Sequence, residues 1–178
     1  ASGGFVWVSV GSKKIFGQMY NDDGLETQSF EFDTGFSIPM SPLIEPLPNG
    51  GIVVVYHDGL YIRGATLDQN GNVLSEPSSA IYLDSDAFDI SSYKDTSVYN
   101  PSVATLKNGH LVATYETTGL DGSGPGIFAQ IFDTSGDKIG SEFQVNTDWE
   151  GSQKYPYITS LPNGGFFVSW QSWDDIDD

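Results

Sequence analysis

A turn written three times constrains this chain more than any other feature. "LPNGG" at Leu47 to Gly51 runs into "IVVVY", "LKNGH" at Leu106 to His110 runs into "LVATY", and "LPNGG" returns at Leu161 to Gly165 before "FFVSW". Asn-Gly between apolar runs is a hairpin signal, because Gly accepts the positive φ that closes the turn. The runs that follow are rich in Val, Ile, Phe, Tyr and Trp, which are strand formers. A fourth copy, "GGFVWVSV", opens the sequence at Gly3 to Val10. The repeated glycine position is thus Gly4, Gly51, His110 and Gly165, with spacings of 47, 59 and 55 residues. Unequal spacing in a repeat puts the insertions in loops.

Further blocks repeat in step. "IFGQMYNDDG" (Ile15 to Gly24), "IRGATLDQNG" (Ile62 to Gly71) and "IFAQIFDTSG" (Ile127 to Gly136) each end in Asn or Asp (Asn21, Asp68, Asp133) and a closing Gly. This is a strand entering a hairpin turn whose Asn or Asp side chain bonds its own turn backbone. A strand follows in "KIGSEFQVNT", Lys138 to Thr147, and "VLSEPSSAIYL", Val73 to Leu83. Another precedes each Asn-Gly turn and begins at Pro42, Pro101 or Pro156, where proline is tolerated at a strand start. One repeat reads strand A, Asn-Gly turn, strand B, loop, strand C, Gly turn, strand D. No stretch reads as an amphipathic helix.

Four-stranded units of this period signify a β-propeller. The expected fold is all-β, made of β-propeller-type blades of four antiparallel strands, with about 3.3 repeats as an incomplete ring or part of an assembly. The whole of 1–178 is one propeller-like repeat region, with repeats at approximately 3–40, 41–98, 99–154 and 155–178. Strand B is apolar at nearly every position, as expected of a strand covered on both faces. Trp7 and Trp170 fall on it and read as core.

The stretch from Tyr99 to Ser172, with "PSVATLKNGHLVATYETTG", "GIFAQIFDTSGDKIGSEFQVNT" and "YITSLPNGGFFVSWQS", resembles a repeat of large secreted bacterial proteins. These are RTX-type adhesins and haemolysin-like calcium-binding proteins, and Gly3 to Asp84 resembles the repeat less closely. The resemblance implies a propeller-like module of a secreted or cell-surface protein, often calcium-dependent, with no assigned activity. The G-G-x-G-x-D nonapeptide of RTX proteins is absent from this chain.

The charge narrows the partners. With 24 acidic residues against 7 basic ones, the net charge is −17, which repels nucleic acid and anionic lipid and favours cations. There is no cysteine, so disulfides, thiolate metal sites and cysteine nucleophiles are excluded. No apolar run approaches the ~20 residues of a spanning helix, and membrane insertion is not expected. The opening "ASGG" is not a secretion signal, so a removed signal or excision from a longer protein is expected.

Calcium is the cofactor expected of the acidic loops, because it takes six to eight oxygens from carboxylates and the carbonyls of flexible loops. The candidate ligands are Asp121 and Ser123 in "GLDGSGPG", Asp133 after them, and Asp84 and Asp86 in "YLDSDAFD". Ligand binding is expected of Trp149 in "TDWEG" and Trp173 in "SWDDI", loop tryptophans beside carboxylates that suit a sugar ring and its hydroxyls. Catalysis is not expected. "SGDKIGSEF" fits the Asp-box of sialidase propellers, but Arg63 is the only arginine, and a sialidase site needs several. His57 and His110 both fall in turns without a nucleophile motif.

The expected function is therefore a non-enzymatic extracellular adhesion or interaction module of a repeat-containing surface protein, stabilised by calcium. The alternative is a carbohydrate-binding propeller lectin. The partners expected are glycans or a cell-surface protein, together with other copies or neighbouring repeats. The last of these would meet the chain through its terminal strands, since "FVWVSV" and "FFVSW" lie at its two ends.

Overall fold

The computed structural model describes residues 4–34, 40–57, 62–74, 98–118, 122–134 and 137–173. Their regular structure is twelve strands: β1 (Gly4–Val10), β2 (Lys14–Asn21), β3 (Glu26–Asp33), β4 (Met40–Pro46), β5 (Ile52–His57), β6 (Ile62–Leu67), β7 (Val98–Thr105), β8 (Leu111–Thr118), β9 (Pro125–Phe132), β10 (Lys138–Gln144), β11 (Ser152–Ser160) and β12 (Phe166–Trp173). They form four antiparallel sheets in the orders β1-β2-β3, β4-β5-β6, β10-β9-β8-β7 and β11-β12. Read against the repeat, these are B-C-D, A-B-C, A-B-C-D and A-B. The remaining strand D falls on Val73 to Leu83, of which only Val73 and Leu74 are described, and Val73 bridges Leu67.

The Asn-Gly turns are one structure built three times. Gly50, Gly109 and Gly164 take φ of 87°, 87° and 93°. In each, the glycine N–H donates to the leucine three residues back, and the Asn oxygen accepts from the N–H two residues on. The C–D turns repeat as well. Asn21 Oδ1 accepts from Asp23 and Leu25, Asp68 Oδ1 from Asn70 and Asn72, and Asp133 Oδ1 from Asp137.

A third repeated feature was hidden in the prolines. Ser41, Asn100 and Tyr155, each just before proline, have φ of 49°, 49° and 55°. Each sits in a bulge, where the pairing slips between Met40 and Leu43, Tyr99 and Ser102, or Lys154 and Tyr157. Proline disfavours the right-handed helical region for the residue before it, and at these bulges that residue is left-handed.

The chain divides into two compact units, residues 1–59 with 63–81 and residues 60–62 with 82–178, and each is described by itself. In the first, the β1–β3 and β4–β6 sheets share a core that includes Ile15, Met19, Phe30, Phe32, Ile52, Val54, Tyr56 and Leu67. In the second, the β7–β10 and β11–β12 sheets share a core of Ala104, Leu106, Val112 and Ile158, with Ile131, Phe166 and Val168 against it.

Strand B is buried over Leu111–Thr117 of β8 and over Ile52–Tyr56 of β5. It is not buried in β1 and β12, which corrects the expectation for the two tryptophans. Trp7 is 53% exposed, and Trp170 is also exposed. The β1–β3 and β11–β12 sheets each pack one face into a core: Trp7 lies on the opposite face to Val6 and Val8, whereas Trp170 shares the face of Phe166 and Val168 but is not part of the core they join.

Candidate functional site

The second unit gathers its loops at one end, where β7 and β11 start, β8 stops, β9 starts and β10 stops. Two buried amides build the loop there. Asn146 Oδ1 accepts the N–H of Ile127 at 2.8 Å, fixing the loop to the start of β9. Its Nδ2 donates to the Asp148 carbonyl at 2.8 Å and to Gln153 Oε1 at 3.0 Å. Gln153 Nε2 in turn donates to the Glu150 carbonyl at 2.8 Å. Both amides are buried, where each such bond is stronger than in water and its loss costs more. The loop they clamp, 147–151, carries Trp149 out into solvent at 58% exposure, between Asp148 and Glu150.

A second pair of rings adjoins it. Trp173, 44% exposed, lies opposite Ser152 in the β11–β12 register, and only Glu150 and Gly151 separate Ser152 from Trp149. The Tyr155 ring meets Trp173 edge to face, with centroids 6.0 Å apart and planes at 71°. Tyr155 is the left-handed bulge residue of β11. Its N–H donates to Oε2 of the buried Glu116 at 3.0 Å, which ties the bulge to the end of β8. A left-handed non-glycine residue costs about 1–3 kcal/mol and persists only where its surroundings hold it.

The neighbouring β8–β9 loop comes close. A Cβ on Gly124 would stand 2.5 Å from the Gly151 carbonyl, so only glycine fits. Ser123 Oγ donates to that same carbonyl at 3.5 Å.

Of the expected ligand-binding residues, Trp149 and Trp173 therefore both lie at this end, exposed and on elements fixed by hydrogen bonds. Of the expected calcium ligands, Asp84, Asp86 and Asp121 lie outside the described residues. Ser123 and Asp133 are not brought together. They flank the eight residues of β9, roughly 26 Å at about 3.3 Å per residue. Asp133 is engaged in its turn as Asn21 is in the first repeat, so the turn does not need the charge. No group of three or more His, Asp or Glu suited to a metal occurs among the described residues.

His110 occupies its Asn-Gly turn, with Nδ1 3.0 Å from Asn108 Nδ2. Arg63 is buried on β6. In the first unit a cavity of about 770 Å³ lies by the Asn-Gly and C–D turns, lined by residues such as Gly50, Gly51, Gln69 and Asn70, with no acid, lysine, arginine or histidine among the described residues of its wall. The Glu142 carboxyl is pushed above the usual carboxylate range by burial, which hydrogen bonding from Tyr115 and the charge of Lys138 partly offset.

Three residues that shape this end of the unit escaped sequence reasoning. Asn146 and Gln153 are amides seven apart in "NTDWEGSQ", and nothing in the string marks them as buried together. Tyr155 carried a signal, the residue before proline at the same place in three repeats.

No family model and no curated protein matches the sequence. Solved structures do resemble the fold. An α-L-arabinanase of Penicillium chrysogenum, solved with arabinobiose, aligns at a TM-score of 0.60 and 14% identity over 94% of this chain and 53% of its own. A Dyadobacter fermentans protein of unknown function aligns at 0.55 and 14%, over 93% and 49%. A Bacteroides caccae protein of unknown function aligns at 0.52 and 13%, over 96% and 51%. The chain thus spans about half the length of the solved structures it resembles. The likeness shows a β-propeller-like all-β fold.

Proposed function

We propose that this chain is a non-enzymatic carbohydrate-binding module of β-propeller type, part of a ring, that serves adhesion at a cell surface. The observation that carries the reading is Trp149, held out on a loop clamped by two buried amides beside the Tyr155–Trp173 pair. A flat ring stacks on the apolar face of a sugar, and flanking carboxylates accept from its hydroxyls. Preorganisation removes the ordering cost that weak ligands otherwise meet on binding. The likeness to an arabinanase solved with arabinobiose supports the reading at the level of fold. Glu116, buried and accepting from the Tyr155 backbone N–H, positions the bulge that carries the ring.

Binding to arabinobiose and a panel of oligosaccharides, followed by tryptophan fluorescence and calorimetry, tests the proposal. Trp149→Ala and Trp173→Ala should each weaken binding about tenfold or more, the equivalent of about 1.4 kcal/mol. Trp7→Ala should leave it unchanged. Equal affinities across the three variants would sink the proposal. Calcium stabilisation of the module is a separate part of the proposal, assigned to the acidic loops of Asp84, Asp86 and Asp121, and a melting temperature indifferent to millimolar calcium would remove that part alone.

A further inference from the structure

The two units join their sheets by the same contact. In the first unit, Val6 and Val8 of β1 share a core with Ile52 and Val54 of β5. In the second, Val112 of β8 shares a core with Phe166 and Val168 of β12. Counted from the repeated glycine position, Val6 and Val112 are both second, Phe166 and Ile52 both first, and Val168 and Val54 both third. Side chains alternate across a strand, so second and first or third positions lie on opposite faces. Each repeat offers its second-position face and receives on its first- and third-position face.

One face of each kind is left uncovered. The β1–β3 sheet keeps its receiving face open, with Phe5 and Trp7 at the first and third positions. Phe16 and Tyr20 continue that face on β2, as the pairs Phe5–Tyr20 and Ser9–Phe16 require. Trp7, Phe16 and Gln18 help line a groove of about 440 Å³ there. The β11–β12 sheet keeps its offering face open, with Phe167 at the second position, 58% exposed. Tyr157 lies on the same face, opposite Ser169.

We propose that these two faces are the halves of one further interface, and that the occupant of each is a second copy of this chain, docked head to tail. The faces are complementary in the sense the chain already uses twice, offering face against receiving face. Their six aromatic rings, at ~150–250 Å² each and about half exposed, present on the order of 600 Å² of apolar surface, the scale of a weak interface. Two different patches meet, so the contact is heterologous and propagates into a ring or filament rather than stopping at a pair. Each copy carries a net charge of −17, so association should strengthen with salt as the repulsion is screened.

Sedimentation and light scattering of the whole chain from about 1 to 200 μM, at low salt and about 0.5 M salt, test this at the scale set by screening. The expected result is a weight-average mass that climbs past twice the monomer at high salt. Trp7→Glu blocks the receiving face and Phe167→Lys the offering face, and each variant alone should associate at least tenfold more weakly. Mixed in equal amounts they should form dimers and nothing larger, because one intact face of each remains. The milder Phe5→Ser and Tyr157→Ser repeat the test if either charged variant does not fold by circular dichroism. A wild-type chain monomeric throughout overturns the proposal, even if sugars then quench Trp7. So do folded single variants that assemble like wild type, or a mixture that stays monomeric.

Discussion

The second strand of the repeat occurs four times, and its copies meet opposite fates. β5 and β8 are buried, whereas β1 and β12 expose Phe5, Trp7, Phe167 and Trp173. The apolar composition is similar in all four, and if anything the exposed copies carry the larger rings. A repeated motif states which side chains can pack against a neighbouring sheet. Whether they do depends on a neighbour being there, which is not a property of the motif.

The sharpest way to break that comparison uses one repeat position. Leu111 and Phe5 both follow the repeated glycine position directly, but Leu111 is 3% exposed and Phe5 56%. Leu111→Ala should cost about 2–5 kcal/mol, the range for emptying a filled core site. Phe5→Ala should cost about 1 kcal/mol, since the exposed ring stacks on Tyr20, 4.6 Å between centroids. Urea midpoints at constant m-value compare them. Equal losses would mean that the face carrying Phe5 is covered in solution.

A single sheet also carries both conditions. On the covered face of β1–β3, the Phe30 ring lies over Gly17, and a Cβ there would stand 2.0 Å from it. Gly17→Ala must displace a buried ring, at about 1–3 kcal/mol. The third repeat has Ala129 at this place, and its partner Phe143 is exposed instead of folded over the strand. On the open face of the same sheet, Trp7→Ala should change the midpoint little.

Some costs should ignore the comparison altogether. Gly109 leads into buried β8 and Gly164 into exposed β12, yet both hold the same left-handed turn. Valine at either should cost about 1–2 kcal/mol through the local steric clash. A large difference between the two would tie the turn's strain to packing and weaken the separation of local from neighbour effects.

This separation explains what was legible in the sequence. Asn-Gly turns, C–D turns and strand order depend on nearby residues, and all were readable from "LPNGG" and "IFDTSG". The Ser41, Asn100 and Tyr155 bulges were half legible, because proline announces a constraint but the pairing slip decides the sign of φ. The Asn146–Gln153 clamp depends on which side chains end up enclosed, which no local pattern encodes. The loop position of Trp149 was legible because its acidic and glycine neighbours are local facts. Trp7 was misread because its burial was inferred from a motif without knowledge of what lies beside it.

The smallest expected effect compares the C–D turns of the first two repeats. Asn21 serves one turn as a neutral amide and Asp68 the other as a carboxylate. The Asp68 carboxyl is held below the usual carboxylate range by the Asn72 side chain, which donates at 2.8 Å, and then by the backbone N–H of Asn72. A carboxylate lowered in the folded state adds stability above its unfolded value and loses it as pH falls through the folded one. Asp68→Asn keeps an oxygen for the two backbone N–H groups, as Asn21 shows, but gives up the second acceptor. The variant should therefore be slightly less stable than wild type near pH 7, with a gap that shrinks as pH falls below the ordinary Asp value of about 3.9 and closes once pH has passed below the lowered folded value. The difference between the urea midpoints of the two proteins isolates this carboxyl. A difference that persists unchanged to about pH 3 would show that the turn draws on the shape of Asp68 and not on its charge.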